Sequence, residues 1–343
     1  MIKKLLREGL VNLYENRVKS VLSEGPQELF EVVKNYYQMS GEYTIDAHNI
    51  NELYVYLKEE EDFDPLGHGT QPTDTEVIDK NICVLSFSSG NDKLDWPYLS
   101  LPAGYTCPFA TACKNFPAKA GTKFKDGGSL KAASEKTQHM CYAARDQAQY
   151  PGANKKAFNN LSLIVNAGKD GGVDGMAKLI IDSIKYAGFQ NSKIFRIHEA
   201  GDFFSNNYMK AWIEVAKTFP NINFYTHTTS LEYWLANKGS MPKNFRLIAS
   251  MNDDNKDVIE ANKLRYSKVV YSVEEAKNLR LPIDYDDSIA CCSNSNFALL
   301  IHGQQPKGSE AGKAYSANQK SGTYDKLKQL HKANKPSRQD LMR

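Results

Sequence analysis

The chain has 343 residues, 41% of them hydrophobic and 24% charged, with a formal net charge of +3. That length buries a large core, and the balance is ordinary for a globular protein, which argues against a disordered or fibrous chain. Its apolar runs, 299–301 among them, are far too short to cross a bilayer, so no membrane partner is expected.

Residues 1–60 read as helices. Leu5, Leu6, Leu10, Leu13 and Tyr14 share one face, and Leu29, Phe30, Val33, Tyr36 and Tyr37 form another. Glu8, Asn12 and Glu15 interrupt the first apolar stretch, so it reads as an amphipathic helix and not a secretion signal; cytoplasmic residence is the expectation. Residues 1–79 hold 7 Lys/Arg against 16 Asp/Glu, a net of −9. The acidic, Gly- and Pro-containing run over 59–74 reads as a linker, which sets off an acidic helical N-terminal domain at 1–75. Residues 80–150 are basic (+4), as are residues 303–343 (+6). A cysteine-containing α/β domain is expected over 76–315, followed by a basic tail over 316–343.

Six cysteines in a cytosolic chain point to thiols or metal ligands before disulfides. Cys83 sits in a strand-like apolar run and reads as packing. Cys291 and Cys292 are adjacent, which is poor geometry for both to bind one ion and leaves one of them as a candidate distal ligand. Cys107, Cys113 and Cys141 have the spacing C-x5-C-x27-C. Three thiolates match a cubane cluster with one iron left open for a substrate or for S-adenosylmethionine. A tetrahedral zinc would need a fourth ligand, recruited from His139, Cys291 or Cys292. Three unligated thiols are the third possibility. The loop over 114–136 carries Lys114, Lys119, Lys123, Lys125, Lys131 and Lys136. It suits a nucleic-acid backbone, as does the C-terminal tail, or else plain solvation.

From residue 190 strands and helices alternate. Strands are predicted at 193–198, 223–228, 245–250, 268–272 and 297–302. Between them lie helices at 208–219, with Tyr208, Ala211, Trp212, Val215, Ala216 and Phe219 on one face, and at 231–237, 257–264 and 273–279. A further helix is expected to start at Ser309, its N-cap. Repeated strand–helix units imply a parallel sheet with right-handed crossovers, and functional groups in such folds collect beyond the C-terminal strand ends. Those ends carry His198, Glu199, Gly201 and Asp202, then Thr226, His227 and Thr228, and finally His302. Imidazoles and carboxylates there also suit a metal-dependent hydrolase or nuclease, with the cysteines structural.

Several stretches resemble a largely phage-encoded family known mainly by a gene-product name, gene product 88. They are Leu-Pro-Ala-Gly-Tyr-Thr-Cys-Pro at 101–108 with Cys113, Cys-Tyr-Ala at 141–143, and Arg-Ile-His-Glu-Ala-Gly-Asp-Phe-Phe-Ser at 196–205. Phe-Tyr-Thr-His-Thr-Thr-Ser at 224–230 and Leu-Ile-His-Gly-Gln-Gln-Pro-Lys-Gly-Ser at 300–309 complete the set. The likeness covers roughly residues 80–315. It implies a protein made in a phage-infected host cell, either an enzyme or a non-enzymatic nucleic-acid-binding or virion-associated protein. Some relatives carry a rolling-circle replication initiator label, whose chemistry needs a His-hydrophobe-His metal motif; no His-x-His occurs in this chain. The chain is also distantly similar to radical S-adenosylmethionine enzymes, whose partial (β/α) barrel opens with three cysteines, although at the tighter spacing C-x3-C-x2-C. That resemblance implies Cys107, Cys113 and Cys141 on an iron–sulfur cluster, Gly201 and Asp202 near the methionyl amine, and Thr226 to Thr228 near the ribose. The remaining pocket residues would be His198, Glu199, His227 and His302. The fold expected is α/β, a parallel-sheet partial barrel with an N-terminal helical extension.

Overall fold

The structure, a computed structural model, describes residues 84–334 apart from 92, 93, 95, 119–122 and 124–128, and not the side chains of 331–334. The expected N-terminal helices, the linker, Cys83 and the last residues of the tail lie outside the described residues.

Six strands form one parallel sheet in the order β1, β4, β5, β6, β7, β8: β1 (Tyr98–Ser100), β4 (Ile194–Ala200), β5 (Asn223–Thr228), β6 (Phe245–Met251), β7 (Tyr266–Val270) and β8 (Phe297–Leu300). Each strand lies beside its predecessor within this sheet, as consecutive strands most often do. A separate antiparallel hairpin pairs β2 (Asn115–Pro117) with β3 (Leu130–Ala132). It occupies part of the segment read as a basic loop.

Side chains alternate across the sheet with the period of two that a pleated strand imposes. Phe195, Ile197, Phe224, Leu247 and Ala249 face one way. They pack against Ile180 and Ile184 of α2 (Pro151–Tyr186) and against Trp212 and Val215 of α3 (Asn206–Thr218). Leu231 and Trp234 of α4 (Leu231–Asn237) and Ile259 of α5 (Lys256–Ala261) join the same core. Ile194, Tyr225, Ile248 and Phe297 face the other way, onto Trp96 and onto Ala290 and Cys291 of α7 (Ser288–Cys292). Asn223, the first residue of β5, donates from Nδ2 to the Cys291 carbonyl at 2.8 Å, which sets α7 at the N-terminal end of that face. The opposite, C-terminal end of the strands is left open.

Helix α3 starts where its cap allows: the Ser205 hydroxyl accepts from the Tyr208 amide at 3.2 Å. Ser309 likewise caps α8 (Glu310–Lys320), accepting from the Gly312 amide at 3.0 Å. The boundary read at 315/316 falls inside α8, so the tail begins as ordered helix. Helix α9 (Thr323–Asn334) follows, and Tyr324 on it donates to the Ile301 carbonyl. The short helix α6 (Val273–Asn278) covers Val270, Ala298 and Leu300 through Ala276.

Candidate functional site

The three cysteines are brought together by loops on the open end of the sheet. After β1 the chain turns at Gly104, whose φ of +76° favours glycine. A Cβ there would lie 2.3 Å from the Asn115 carbonyl oxygen. Thr106 closes the turn, donating from Oγ1 and from its amide to the Pro102 carbonyl at 2.8 and 3.1 Å. The loop rests on Gly201 (φ +86°), where a Cβ would meet Thr106 Oγ1 at 2.5 Å and Leu101 Cβ at 2.7 Å. Cys107 therefore reaches the end of β4 because residue 201 has no side chain.

Amide side chains fix the other two thiols. Asn115 Nδ2 donates to the carbonyls of Cys113 and His139 at 3.1 and 3.3 Å, tying the second cysteine to the approach of the third. The amides of Gln138 and His139 both donate to the Ala112 carbonyl. Gln305, from the loop after β8, accepts from the Met140 amide at 2.7 Å and donates to its carbonyl at 3.2 Å. Gln147 on α1 (Tyr142–Gln149) accepts from the Ala103 amide and donates to the Leu101 carbonyl, both at 2.9 Å. Cys141 occupies the N-cap position of α1, where backbone N–H groups gather.

Cys107, Cys113 and Cys141 all line one cavity of about 1000 Å³, and each is partly exposed. Burial pushes the Cys107 thiol well above its usual range, and the charges of Asp202, Cys141 and Cys113 add to it. Burial, then Cys141 and Asp202, pushes Cys113 up to about 12. Burial also raises Cys141, against the pull of the Ala144 and Ala143 amides.

Of the eight residues expected to border a cofactor, seven line this cavity: His198, Glu199, Gly201, Asp202, His227, Thr228 and His302. Thr226 is the exception. It is fully buried, its hydroxyl donates to the His227 carbonyl, and strand alternation turns it away from the side that His227 faces. His198 is 2% exposed; its Nε2 lies 3.1 Å from the Tyr208 hydroxyl, and its Nδ1 has no partner. Burial, then Arg196, drops its pKa to about 3, and burial drops that of His227 to about 4. Asp202 accepts from the Thr228 hydroxyl, the Thr229 hydroxyl and the amides of Phe203 and Thr229, at 2.6 to 2.8 Å. Four donors fill the acceptor sites of a carboxylate, so Asp202 locks the ends of β4 and β5 together. His227 Nδ1 is 3.0 Å from Ser267 Oγ, and the His302 ring lies 5.2 Å from that of Tyr142.

A polar network beneath these residues went unread in the sequence. Arg196, pointing inward from β4, pairs with Asp287 at 2.7 Å and donates to the Tyr142 hydroxyl at 2.9 Å. Tyr225 also donates to Asp287 at 2.7 Å and accepts from Trp96 Nε1 at 2.8 Å. Tyr142 in turn donates to the Glu199 carbonyl at 2.5 Å. The residue after Cys141 is thus anchored to the floor of the cavity. An arginine between the apolar Phe195 and Ile197 was the available signal.

The donor set fits a soft metal centre by its chemistry: three thiols in one cavity, their ionisation held back by burial and by one another until a cation compensates. Among the described residues, no three His, Cys, Asp or Glu side chains are grouped so as to hold one metal ion. An iron–sulfur cluster would be held by Cys107, Cys113 and Cys141, and a zinc ion would need a fourth ligand beside them. Of the ligands expected to complete a zinc site, His139 lines the cavity. Cys291 and Cys292 are bonded to each other, and Cys291 is buried in the core around Tyr225 and Phe297. The segment read as a basic loop is not uniformly solvated. Lys114 is 3% exposed, and Lys136 lies 3.5 Å from Asp254.

The cysteine loops, the strand-end motifs and the Gln305 loop all fall within residues 73–326, which match the profile of one protein family, Gene product 88. The chain belongs to that family. Two curated gene product 88 relatives match it, both named Gene 88 protein. The one from Mycobacterium phage D29 is 30% identical over 166 residues, covering 47% of this chain and 58% of that protein. The one from Mycobacterium phage L5 is 26% identical over 163 residues, covering 47% and 59%. The chain therefore spans less than two thirds of either relative. No solved structure matches it. Among the described residues no helix is long and apolar enough to cross a membrane.

Proposed function

We propose that this gene product 88 protein is a metalloenzyme of the radical S-adenosylmethionine type, with an iron–sulfur cluster on Cys107, Cys113 and Cys141. The observation that carries the reading is that three cysteines, 34 residues apart from first to last, line one cavity at the C-terminal strand ends. The strand order, which follows the chain, and the crossover helices packed on one face support a partial (β/α) barrel. When bound, the cluster and S-adenosylmethionine supply one-electron, radical chemistry.

The residues of this chain do the positioning. The amides of Asn115, Gln147 and Gln305 hold the cysteine loops in place. Gly201 admits the Cys107 loop to the strand end. His198 and His227 are neutral above about pH 4, so they add no positive charge beside the thiols. Glu199, Thr228 and His302 border the same space. A hydrolase built on His198, Asp202 and His227 has less support, because the Asp202 oxygens are already filled.

The test is turnover of S-adenosylmethionine by anaerobically reconstituted, reduced protein. Release of 5′-deoxyadenosine that is lost in Cys107→Ser, Cys113→Ser and Cys141→Ser is the expected result. Cleavage that survives all three substitutions, or no cleavage by iron-loaded protein, contradicts the reading.

A further inference from the structure

Gln138 and His139 line the cavity from the stretch that leads to Cys141, while Asn252, Asp253 and Tyr271 line it from the loops after β6 and β7. The first stretch is bound closely to the loop that holds Cys113. Ala133 donates from its amide, and Thr137 from its hydroxyl, to the Lys114 carbonyl at 3.1 and 3.2 Å. The Gln138 and His139 amides share the Ala112 carbonyl at 2.8 and 3.1 Å. Both acceptor residues are buried, so residues 133–139 and 112–114 hold together firmly. Phe109 anchors the loop at one end, lying edge-on to Tyr233 of α4 with ring centroids 5.2 Å apart, and Gln305 clamps Met140 at the other. Contacts with the loops after β6 and β7 are of another kind. Lys136 Nζ lies 3.5 Å from Asp254 Oδ1, and the two side chains are 70% and 46% exposed. The Thr111 hydroxyl hydrogen-bonds to the same carboxylate, so Asp254 meets one group from before Cys113 and one from before Cys141. The Tyr271 hydroxyl donates to the Gln138 carbonyl at 3.5 Å, the outer limit of a hydrogen bond. Neither Lys136 nor Asp254 lines the cavity, although Gln138 and Asp253, within two residues of them, do. An ion pair this exposed is screened by salt and contributes little, so thermal motion breaks it readily.

We propose that Asp254 is a latch: it holds residues 133–139 as a strap against the loops after β6 and β7, and its release from Lys136 and Thr111 admits ligands to Cys113 and Cys141. The strap and the Cys113 loop move as one unit, because the bonds between them are made on buried residues while those across to Asp254 are exposed. Opening breaks two exposed polar contacts and one long hydrogen bond. The inference goes beyond the metal reading and does not depend on it, since it concerns access to the thiols whatever they hold.

Labelling of the reduced, metal-free, full-length protein with N-ethylmaleimide, mapped to each cysteine by mass spectrometry, tests the proposal. Cys113 and Cys141 are expected to react faster in Asp254→Ala by about two- to fivefold, the range that an exposed ion pair supports. Asp254→Lys sets two like charges together and should react faster still. Adding Lys136→Asp to that variant restores the pair with its charges exchanged, and the rate should return close to the wild-type value. The Thr111 hydroxyl serves either arrangement, since it accepts from a lysine as well as donating to a carboxylate. Salt should speed labelling of the wild type and leave Asp254→Ala unaffected. Lys136 and Asp254 are exposed, so urea midpoints should agree across the set, which separates local opening from global unfolding. Three results overturn the proposal: an unchanged rate in Asp254→Lys, a charge exchange that fails to restore the rate, or wild-type labelling that is independent of salt. Faster labelling that tracks a lowered urea midpoint overturns it as well.

Discussion

A buried thiol keeps its proton at neutral pH unless a neighbouring cation compensates the thiolate. Cys107, Cys113 and Cys141 are all raised, so a metal taken up at the proposed centre would displace protons from them. Loading of the metal-free protein should therefore be faster and tighter at pH 8.5 than at pH 6. Proton release on iron addition, followed with a pH indicator, checks this; a pH-independent uptake contradicts it. Asp284 makes a second pH statement. Its folded pKa of about 7 lies above the ordinary carboxyl value, so the folded protein holds a proton that the unfolded chain has already lost. Its contribution to stability falls as pH rises from about 4 to about 7, following the linkage relation. His198 and His227, depressed to about 3 and about 4, act in the opposite sense and cost stability as pH falls below their unfolded value of about 6.5. The Asp284 contribution is isolated as the difference between Asp284→Asn and wild type. Urea melts across that range should show the variant's advantage growing with pH and levelling off above about 7.

At the scale of elements, the cavity is held by contacts between parts of the chain that are distant in sequence. Gly201→Ala would push a methyl group into Thr106 and Leu101 and place alanine at a positive φ. A cost of about 1–3 kcal/mol is expected from strain and overpacking, measured as a lowered urea midpoint, together with loss of metal binding at Cys107. Arg196→Met would take the guanidinium from Asp287 and leave a largely buried carboxylate without a compensating cation from residue 196, at a cost of about 3–5 kcal/mol. Unchanged stability in either variant would remove that contact from the account. Strands 4 to 8 were legible from their apolar runs with polar residues at the C-terminal ends, and α3 from its apolar face. Helix α2 was not: the non-helical Gly171 and Gly172 break it internally, and polar Asn154, Asn160 and Ser183 sit on its buried face. Strands β1, β2 and β3, three residues each, are too short to display an alternation. The cysteines were legible by chemical type alone. The amides that position them were not, since Gln305 meets Met140 across 165 residues and glutamine in a loop looks like surface.

For the whole molecule, the parallel sheet leaves its C-terminal edge open, and the loops that close over that edge carry nearly every residue singled out by chemistry. The three cysteines line the cavity together with Arg196, Asp287 and Tyr142 of the polar network. The central claim is that those thiols form one centre. Anaerobic purification of the full chain, with iron and sulfide analysis and a visible spectrum, tests it most directly. The account predicts iron, sulfide and broad absorption near ~400 nm, all lost together when any one of Cys107, Cys113 or Cys141 becomes serine. A colourless protein that takes up no iron on reconstitution, or iron retained after two of the three are replaced, would contradict it.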